Sequence, residues 1–534
     1  MAMNPRLLRP RQSGFTPKSI PGLALWLDAS DASTLFQDAA ATTPATATND
    51  PVGAWLDKSG NARHATQGTA ASRPTVGSSS KAGKNAVRNN GTGSVALQVA
   101  AWPYTAGNTQ FAVFNASTIN QGIYQRGSLN DEPRMAIQTG ANGVASVRAT
   151  RGGSLLAQTH SEVGYALSQW SIGGTLFNTA LGRAYRDGVY GADTTDSQTF
   201  TGDQELRLLS LPGNIYGING GIAEFLYYDR QLTASEVTRV ARYLAARWGI
   251  TLAPTVSNAD AQDWVNRVYA NGGTVSATTA TAVNTFCDSI DAAGIRDRFY
   301  RLNLFAGNSD ASLNAVRTPL YRGSSLGGTQ FGGATDTNVN FVQGDYAETG
   351  ASGGLTGNGS TKYLETGFSL ASLPSAASRH ISVYEIVKSA NTNDASIGGT
   401  HSSSSDGMVL HTKSPATAYA WSRGGPSEAV AAAGSYSGGA HWIGQNTTLR
   451  AAQLYKNGSL DNSATLANDV TSTAANAVGV FAWKITGGTP DPTWVYHSAA
   501  RLGGYSIGVS MSNAQASAYY TALQAFQTAL GRQV

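Results

Sequence analysis

Residues 220–249 read GGIAEFLYYDRQLTASEVTRVARYLAARWG, and two structural periods meet inside them. Ile222, Glu224 and Leu226 alternate with Ala223, Phe225 and Tyr227, the two-residue period of a strand, which breaks at Asp229-Arg230. Thr233 and Glu236 then stand in S/T-x-x-E spacing: the hydroxyl accepts from the amide three residues on, and the carboxylate reaches back to the cap amide. Val237, Val240, Leu244 and Trp248 follow at three- and four-residue steps, one apolar stripe on a helix, and Gly249 suits a left-handed stop. The unit is strand, turn, capped amphipathic helix, stop.

The same unit closes the chain. Gly503 to Ser510 (GGYSIGVS) reads as the strand, Ser512 and Gln515 repeat the capping-box spacing, and Tyr519, Leu523, Phe526 and Leu530 repeat the stripe before Gly531. Upstream of each copy stands a hairpin signal, Tyr185-Arg186-Asp187-Gly188 and Tyr455-Lys456-Asn457-Gly458. Asp-Gly and Asn-Gly tolerate the positive φ of a tight hairpin turn. The hairpins lie 270 residues apart and the caps, Thr233 and Ser512, 279, so the second copy carries nine extra residues. The Gly/Pro-rich run Thr486 to Pro492 (TGGTPDP) is the expected insertion.

A chain of 534 residues with 61 glycines and only 13% charged residues suits two turn-rich β domains better than one core. The net charge of +4 is local. Residues 1–20 hold Arg6, Arg9, Arg11 and Lys18 and no acid, and removing them leaves 33 basic against 33 acidic residues. Such an arm reads either as a docking segment for an acidic protein or nucleic acid, or as a solubilising leader. Residues 1–10 offer no continuous apolar core, so no secretory signal is expected, and no stretch is long and apolar enough to span a membrane. The single cysteine, Cys287, lies among Val283, Phe286 and Ile290 at helical spacing and reads as a small core residue.

After the arm (1–20), an entry strand is expected in Ile20 to Asp28, followed by the loop from Trp55 to His64. GLALWLDASD (22–31) and WLDKSGNARHA (55–65), closed by GGIAEFLYYDRQLTASEV (220–237), resemble the laminin-G-like, concanavalin A-like lectin/glucanase superfamily of two-sheet jelly rolls. The resemblance covers 21–252, with both ends clear and the middle weak. Asn90 to Leu97, Gln110 to Phe114 and Glu205 to Leu209 supply further strand candidates. Two apolar-faced helices, Asp260 to Gly272 and Thr278 to Gly294, form a linker over 253–300 expected to pack on a domain. Strands resume in 301–534, where Gly357 to Leu364 echoes Asn90 to Leu97 and His380 to Ile386 echoes Gln110 to Phe114. The expected fold is all-β: two tandem concanavalin A-like jelly-roll sandwiches, each closed by a C-terminal helix and joined by a two-helix linker. TDTNVNFVQGDYAETGASGGLTGNGSTKYLETGF (335–368) and YSIGVSMSNAQASAYYTALQAFQTALGR (505–532) are similar to segments of structural and tail-associated proteins of tailed bacteriophages. That resemblance implies a virion component made in the host cytoplasm, a homo-oligomer whose arm, with Arg6, Arg9, Arg11 and Lys18, docks on other virion proteins.

A glucanase of this superfamily would carry a strand close to E-x-D-x-x-E, one acid attacking or assisting while the other donates a proton. None occurs, and the expectation is a non-enzymatic protein that attaches to host-surface glycan as a fibre, tail-tip or capsid decoration. The alternatives are a glycan depolymerase and a purely architectural protein without ligand. Gly504-Tyr505-Ser506-Ile507-Gly508 matches the G-x-S-x-G hydrolase pattern, but Ser506 falls mid-strand and the helix starts six residues later, so a chance match is expected. Gly357 to Lys362 lacks the Gly-Lys-Ser/Thr order of a phosphate loop and reads as a turn. For ligand binding, Trp55, Asp57, Asn61 and His64 are the candidates. Asp57, Ser59 and Asn61 place three oxygen side chains in one turn, with Asp28 and Asp31 on the neighbouring strand. Relatives in the resembled superfamily hold Ca²⁺ beside a ligand loop, and such oxygens either ligate it or close the turn on their own backbone. Aromatic rings able to stack on sugars are Trp55, Trp102, Trp170, Tyr216, Trp421, Trp442 and Trp494. The charge-balanced folded part argues against nucleic acid.

Overall fold

The structure is a computed structural model that describes residues 15–127, 134–140, 145–150, 161–178, 180–195, 202–307, 313–389, 394–400, 407–413, 417–423, 430–431, 438–467, 469–470, 476–485 and 493–534. The chain divides into two compact units, Met1–Leu252 and Ala253–Val534. Each is mostly β.

In the first unit, one sheet runs Val189–Tyr190, Leu181–Arg186, Ser171–Phe177, Asn108–Ala116, Asn219–Tyr228, Lys84–Asn90, Thr75–Lys81, with the entry strand Leu23–Asp28 also paired to Asn219–Tyr228. The other runs Ser161–Gly164, Ala145–Thr150, Arg134–Thr139, Gln121–Arg126, Asp203–Leu208, Leu97–Pro103, Ala65–Thr66, Ala54–Trp55, Leu35–Phe36. Phe114, Phe225 and Tyr227 of the first sheet share one buried cluster with Tyr124, Met135 and Leu206 of the second, so the sheets face each other across a core. Side chains that alternate to the other face, Phe111, Leu226 and Tyr228, pack beneath helix α1 (Ala234–Trp248) with Val237, Val240, Leu244 and Trp248. Helix α1 therefore covers the outside of a sheet and takes no place between the two.

The second unit repeats the plan. The closing strand Arg501–Gly508 lies beside Arg379–Val387, and the hairpin strands Ala451–Lys456 and Ser459–Thr465 sit at the edge of that sheet. The opposing sheet is built on Tyr363–Ser369, Ala477–Val480, Asp394–Thr400, Gly407–Lys413 and Thr417–Arg423. Both hairpin turns take the left-handed conformation that their residue pairs predict, with φ of 48° and 107° at Asp187-Gly188 and 50° and 79° at Asn457-Gly458.

Helices α2 (Ala259–Ala270) and α3 (Ala277–Ala292) belong to the second unit. The Trp264 indole donates to the Thr318 carbonyl (3.0 Å) and Phe286 packs edge-on to Phe526 of α4 (Asn513–Ala529), so they cover its surface and are not a free tether. With four α-helices among the described residues, the fold is mostly β rather than all-β. Between the strands Lys84–Asn90 and Leu97–Pro103 the expected strand is a turn: the Asn89 side-chain Nδ2 donates to the carbonyls of Thr92, Val95 and Leu209, which folds the chain back. Its echo behaves alike, with Asn358 Oδ1 accepting from the amides of Ser360, Thr361 and Lys362. The arm also ends earlier than residue 20. Pro17 and Ile20 are buried, Phe15 meets Tyr243 edge-on at 5.9 Å, and the Tyr228 hydroxyl donates to the Pro17 carbonyl.

Both capping boxes form: Thr233 Oγ1 accepts from the Glu236 amide and Ser512 Oγ from the Gln515 amide, while Glu236 and Gln515 accept from the cap amides. Replacing Thr233 or Ser512 with alanine is expected to cost about 1 kcal/mol each, read as loss of amide-exchange protection confined to α1 or α4.

Candidate functional site

The loop from Trp55 to His64 is occupied with holding the entry strand. Trp55 is fully buried, so its ring is core and not a sugar platform. Asp57 Oδ1 accepts from the amides of Trp26 (2.9 Å) and Ser59 (2.8 Å), and Oδ2 from Ser59 Oγ (2.7 Å) and the Arg63 amide (3.0 Å). Asn61 donates to the carbonyls of Leu23 and Ala24, and His64 Nδ1 accepts from the Asp57 amide at 3.0 Å. Four donors saturate the Asp57 carboxylate, which leaves no lone pair for a cation, so Asp57, Ser59 and Asn61 do not fit Ca²⁺ and close the turn instead. No group of three metal-ligating side chains occurs among the described residues. Asn61 and His64 remain exposed on the rim. Lys18 is exposed, while Arg6, Arg9 and Arg11 lie outside the described residues.

The fold does bring carboxylates together. Asp28 and Glu224 are cross-strand partners, both fully buried beneath α1. Glu224 accepts from the Trp26 indole (2.8 Å), the Trp248 indole (2.6 Å) and the Tyr243 hydroxyl (3.0 Å), and Asp28 pairs with Lys58 (3.0 Å) and Arg247. Burial, reinforced by the Asp28 charge, pushes Glu224 up to about 7. Two indoles and a helix seal the pair, which makes it a clasp for α1 and not a site that a sugar enters.

Ser506 lies mid-strand, as its motif position predicts, yet it has a histidine partner that the sequence reading missed. His380 Nε2 is 2.9 Å from Ser506 Oγ, which is 2.6 Å from Ser382 Oγ, while His380 Nδ1 donates to the Val509 carbonyl (2.7 Å). All three side chains are fully buried, and Tyr519 of α4 lies over them. Desolvation lowers His380 to about 4, so the imidazole is neutral near pH 7. With α4 overhead no substrate carbonyl has a route to Ser506.

An accessible arrangement lies on the hairpin that brackets the expected insertion. Strands Trp483–Ile485 and Thr493–Val495 pair with Trp483 opposite Val495 and Lys484 opposite Trp494; Thr486 to Pro492 lies outside the described residues. Alternation sends these pairs to opposite faces. On one face, Trp494 packs on Tyr363 with ring centroids 4.5 Å apart, and Lys484 reaches over it to pair with Glu365 at 2.8 Å. On the other, Tyr496 stacks on Trp483 at 5.6 Å and 23°, with His411 edge-on at 5.7 Å. Tyr496 is 44% exposed, although Trp483 stacks on it and His411 meets it edge-on. Asp394 is buried beside it: the Ala395 amide donates to the Tyr496 carbonyl, and Asp394 Oδ2 accepts from the Ala499 amide.

Of the sequence-predicted rings, Trp494 belongs to this surface. Trp55, Trp102 and Trp442 are buried, Trp170 and Tyr216 are half-buried, and the Trp421 side chain lies outside those described. Sequence reading missed Tyr363, His411, Trp483 and Tyr496, although the Gly/Pro-rich insertion between two tryptophans signalled where they gather.

No protein-family model matches the sequence, and no curated protein matches it. Among solved structures the chain is similar to a sialidase of Trypanosoma rangeli (15% identity, 43% of this chain and 33% of that chain, TM-score 0.29). It is similar also to domain 4 of a GH43 extracellular arabinanase from Geobacillus stearothermophilus, solved with arabinotriose (17% identity, 35% and 92%, TM-score 0.28). A third is a heptameric pentraxin of Limulus polyphemus (14% identity, 26% and 72%, TM-score 0.22). The chain thus spans a third of the sialidase's length, and the likeness goes no further than β-sheet architecture. The expectation of a non-enzymatic protein is corrected here: the structures found include glycosidases, and a missing linear motif says nothing about carboxylates that folding brings together, as it does Asp28 and Glu224.

Proposed function

We propose that the chain is a carbohydrate-directed component of a tailed-phage particle, two tandem concanavalin A-like jelly rolls that engage host-surface glycan through the aromatic hairpin of the second unit. The exposed Tyr496 ring on Trp483 carries this reading, since an apolar ring face stacks on the C–H face of a pyranose while nearby polar groups bond its hydroxyls. The basic segment with Arg6, Arg9, Arg11 and Lys18 is the element proposed to dock on other virion proteins, in a homo-oligomer whose weak sites add through many copies. A second reading is glycan depolymerase, with Glu365, which pairs with Lys484 beside the Trp494 ring, as its accessible carboxylate.

An array of bacterial surface polysaccharides tests both. Binding is expected, and Tyr496→Ala should weaken it about tenfold, or about 1.4 kcal/mol. Reducing-sugar release that Glu365→Gln abolishes would select the depolymerase. A blank array would overturn the carbohydrate reading and leave the architectural one.

A further inference from the structure

The loop that carries Tyr496 has a counterpart in the first unit, and the two are built on the same bonds. Leu209 (φ 71°) and Phe481 (φ 66°) end their strands in the left-handed region. The Leu209 amide donates to Ile123 and the Phe481 amide to Ser396. At the far end of each loop the Ile218 amide returns to Leu209 (2.9 Å) and the Ser498 amide to Phe481 (2.8 Å). Glycine amides close both from outside, Gly91 onto Ile218 and Gly359 onto Ser498. Two residues before each return stands a tyrosine in the left-handed region, Tyr216 at φ 52° and Tyr496 at φ 53°. Their carbonyls do the same job, accepting from the Gly122 amide (2.6 Å) and the Ala395 amide (2.7 Å).

Between these anchors the loops share neither length nor sequence: six residues separate Leu209 from Tyr216, and fourteen separate Phe481 from Tyr496. This eight-residue difference accounts for most of the nine extra residues of the second copy. The carbonyl bond explains why the backbone is left-handed, but glycine or asparagine would make that bond with less strain. A bulky aromatic at both positions carries backbone strain with no return from the backbone. In the second unit the ring offsets that strain by forming the exposed platform. In the first, Tyr216 is half-buried at the surface, and among the described residues no ring stacks on it and no side chain takes its hydroxyl.

We infer that Tyr216 is the stacking residue of a second sugar-ring subsite, so that each chain is bivalent, with one tyrosine-based subsite per unit. The inference rests on the carbohydrate reading of Tyr496. Its ligand class is the same, a polyhydroxylated ring presented edge-free in an oligosaccharide, and the shorter first-unit loop, without the Trp483 and Trp494 strands, gives it the weaker hold of a single ring.

Calorimetric titration of the full chain with hexasaccharides of glucose, galactose, mannose, rhamnose and arabinose tests it. The best-bound sugar should fill two sites per chain. Tyr216→Gly, which keeps the left-handed backbone and the Gly122 bond, should leave one site and an unchanged or raised Tm; Tyr216→Phe should keep two. Tyr496→Gly should remove the tighter site, and the double variant both. One site in the parent, lost in Tyr496→Gly and untouched in Tyr216→Gly, would overturn bivalency while leaving the Tyr496 reading intact. A lowered Tm with stoichiometry unchanged would assign Tyr216 a structural role and likewise overturn it. No binding in the parent would overturn both.

Discussion

Lowering the pH from 8 to 5 is expected to loosen helix α4 from the second unit, by about 4 kcal/mol in all from two buried histidines. His380 and His441 lie fully buried beneath that helix. Desolvation holds His380 at about 4 and His441 at about 3, the latter with help from His380. The groups that face them offer no negative charge. His380 meets Ser506, the Val509 carbonyl and the edge of Phe299, with the Arg298 charge opposing protonation. His441 is enclosed by the rings of Tyr384, Tyr519 and Tyr520, and neither ring nitrogen has a partner among the described residues. Unfolded histidine titrates near 6.5 and the folded values lie below it. The stability from burying neutral rings is therefore present above pH 6.5 and is lost as pH falls toward 4. His441→Phe fills the same space with a ring that does not titrate, and should remove about half of the loss. Amide exchange of α4 at pH 8, 6.5 and 5 reads it directly; equal protection across the series would show that the histidines are solvated or already charged.

The first unit responds with the opposite sign. Glu224 is raised by burial, so its contribution is present below the ordinary carboxylate range and is lost as pH rises through neutrality. Exchange of α1 should accelerate toward alkaline pH under the conditions that protect α4. One chain thus holds two copies of a strand-and-helix clasp whose buried groups, a carboxyl in one and imidazoles in the other, titrate in opposing directions.

These two clasps also show what the sequence made legible. Hydrophobic period and cap spacing are local, so Thr233, Ser512, both stripes and both hairpins could be placed from the residues alone. Contacts across more than a hundred residues leave no local trace. Nothing near Glu224 announces Trp26 at 2.8 Å, and nothing near Ser506 announces His380. The loop Trp55 to His64 misled for a related reason. Asp, Ser and Asn in close spacing look alike whether they bind a cation or a backbone, and only the four donors on Asp57 decide it. The platform was half visible. Trp494 stood in the sequence beside a Gly/Pro-rich insertion, but the positive φ that presents Tyr496 is a property of the closed loop.

The largest loss expected from a single substitution is at Asp336, where alanine should cost about 3–5 kcal/mol. Arg301 and Asp336 are both fully buried, and one carboxylate gathers three elements of the second unit. Its Oδ1 accepts from Arg301 Nη2 (2.6 Å) on the entry strand Phe299–Asn303 and from the Tyr505 hydroxyl (2.7 Å) on the closing strand. Oδ2 accepts from the Asn303 amide group at 2.8 Å, and Arg301 Nη1 donates onward to the carbonyls of Phe331 and Gly333. Removing the carboxylate leaves a guanidinium in the interior with no counter-charge, and that isolated charge, more than the lost attraction, sets the magnitude. It follows that removing both charges should cost far less than removing one. Arg301→Met combined with Asp336→Leu is expected to recover most of the stability lost in Asp336→Ala, measured as denaturant midpoints of the full chain. The pair also orients the strand Thr337–Val339, which pairs with Tyr363–Ser369 and so supports Tyr363 beneath Trp494 and Glu365 beside Lys484. Asp336→Ala should therefore weaken sugar binding at the hairpin even at temperatures where the unit remains folded, whereas the double apolar variant should bind as the parent does.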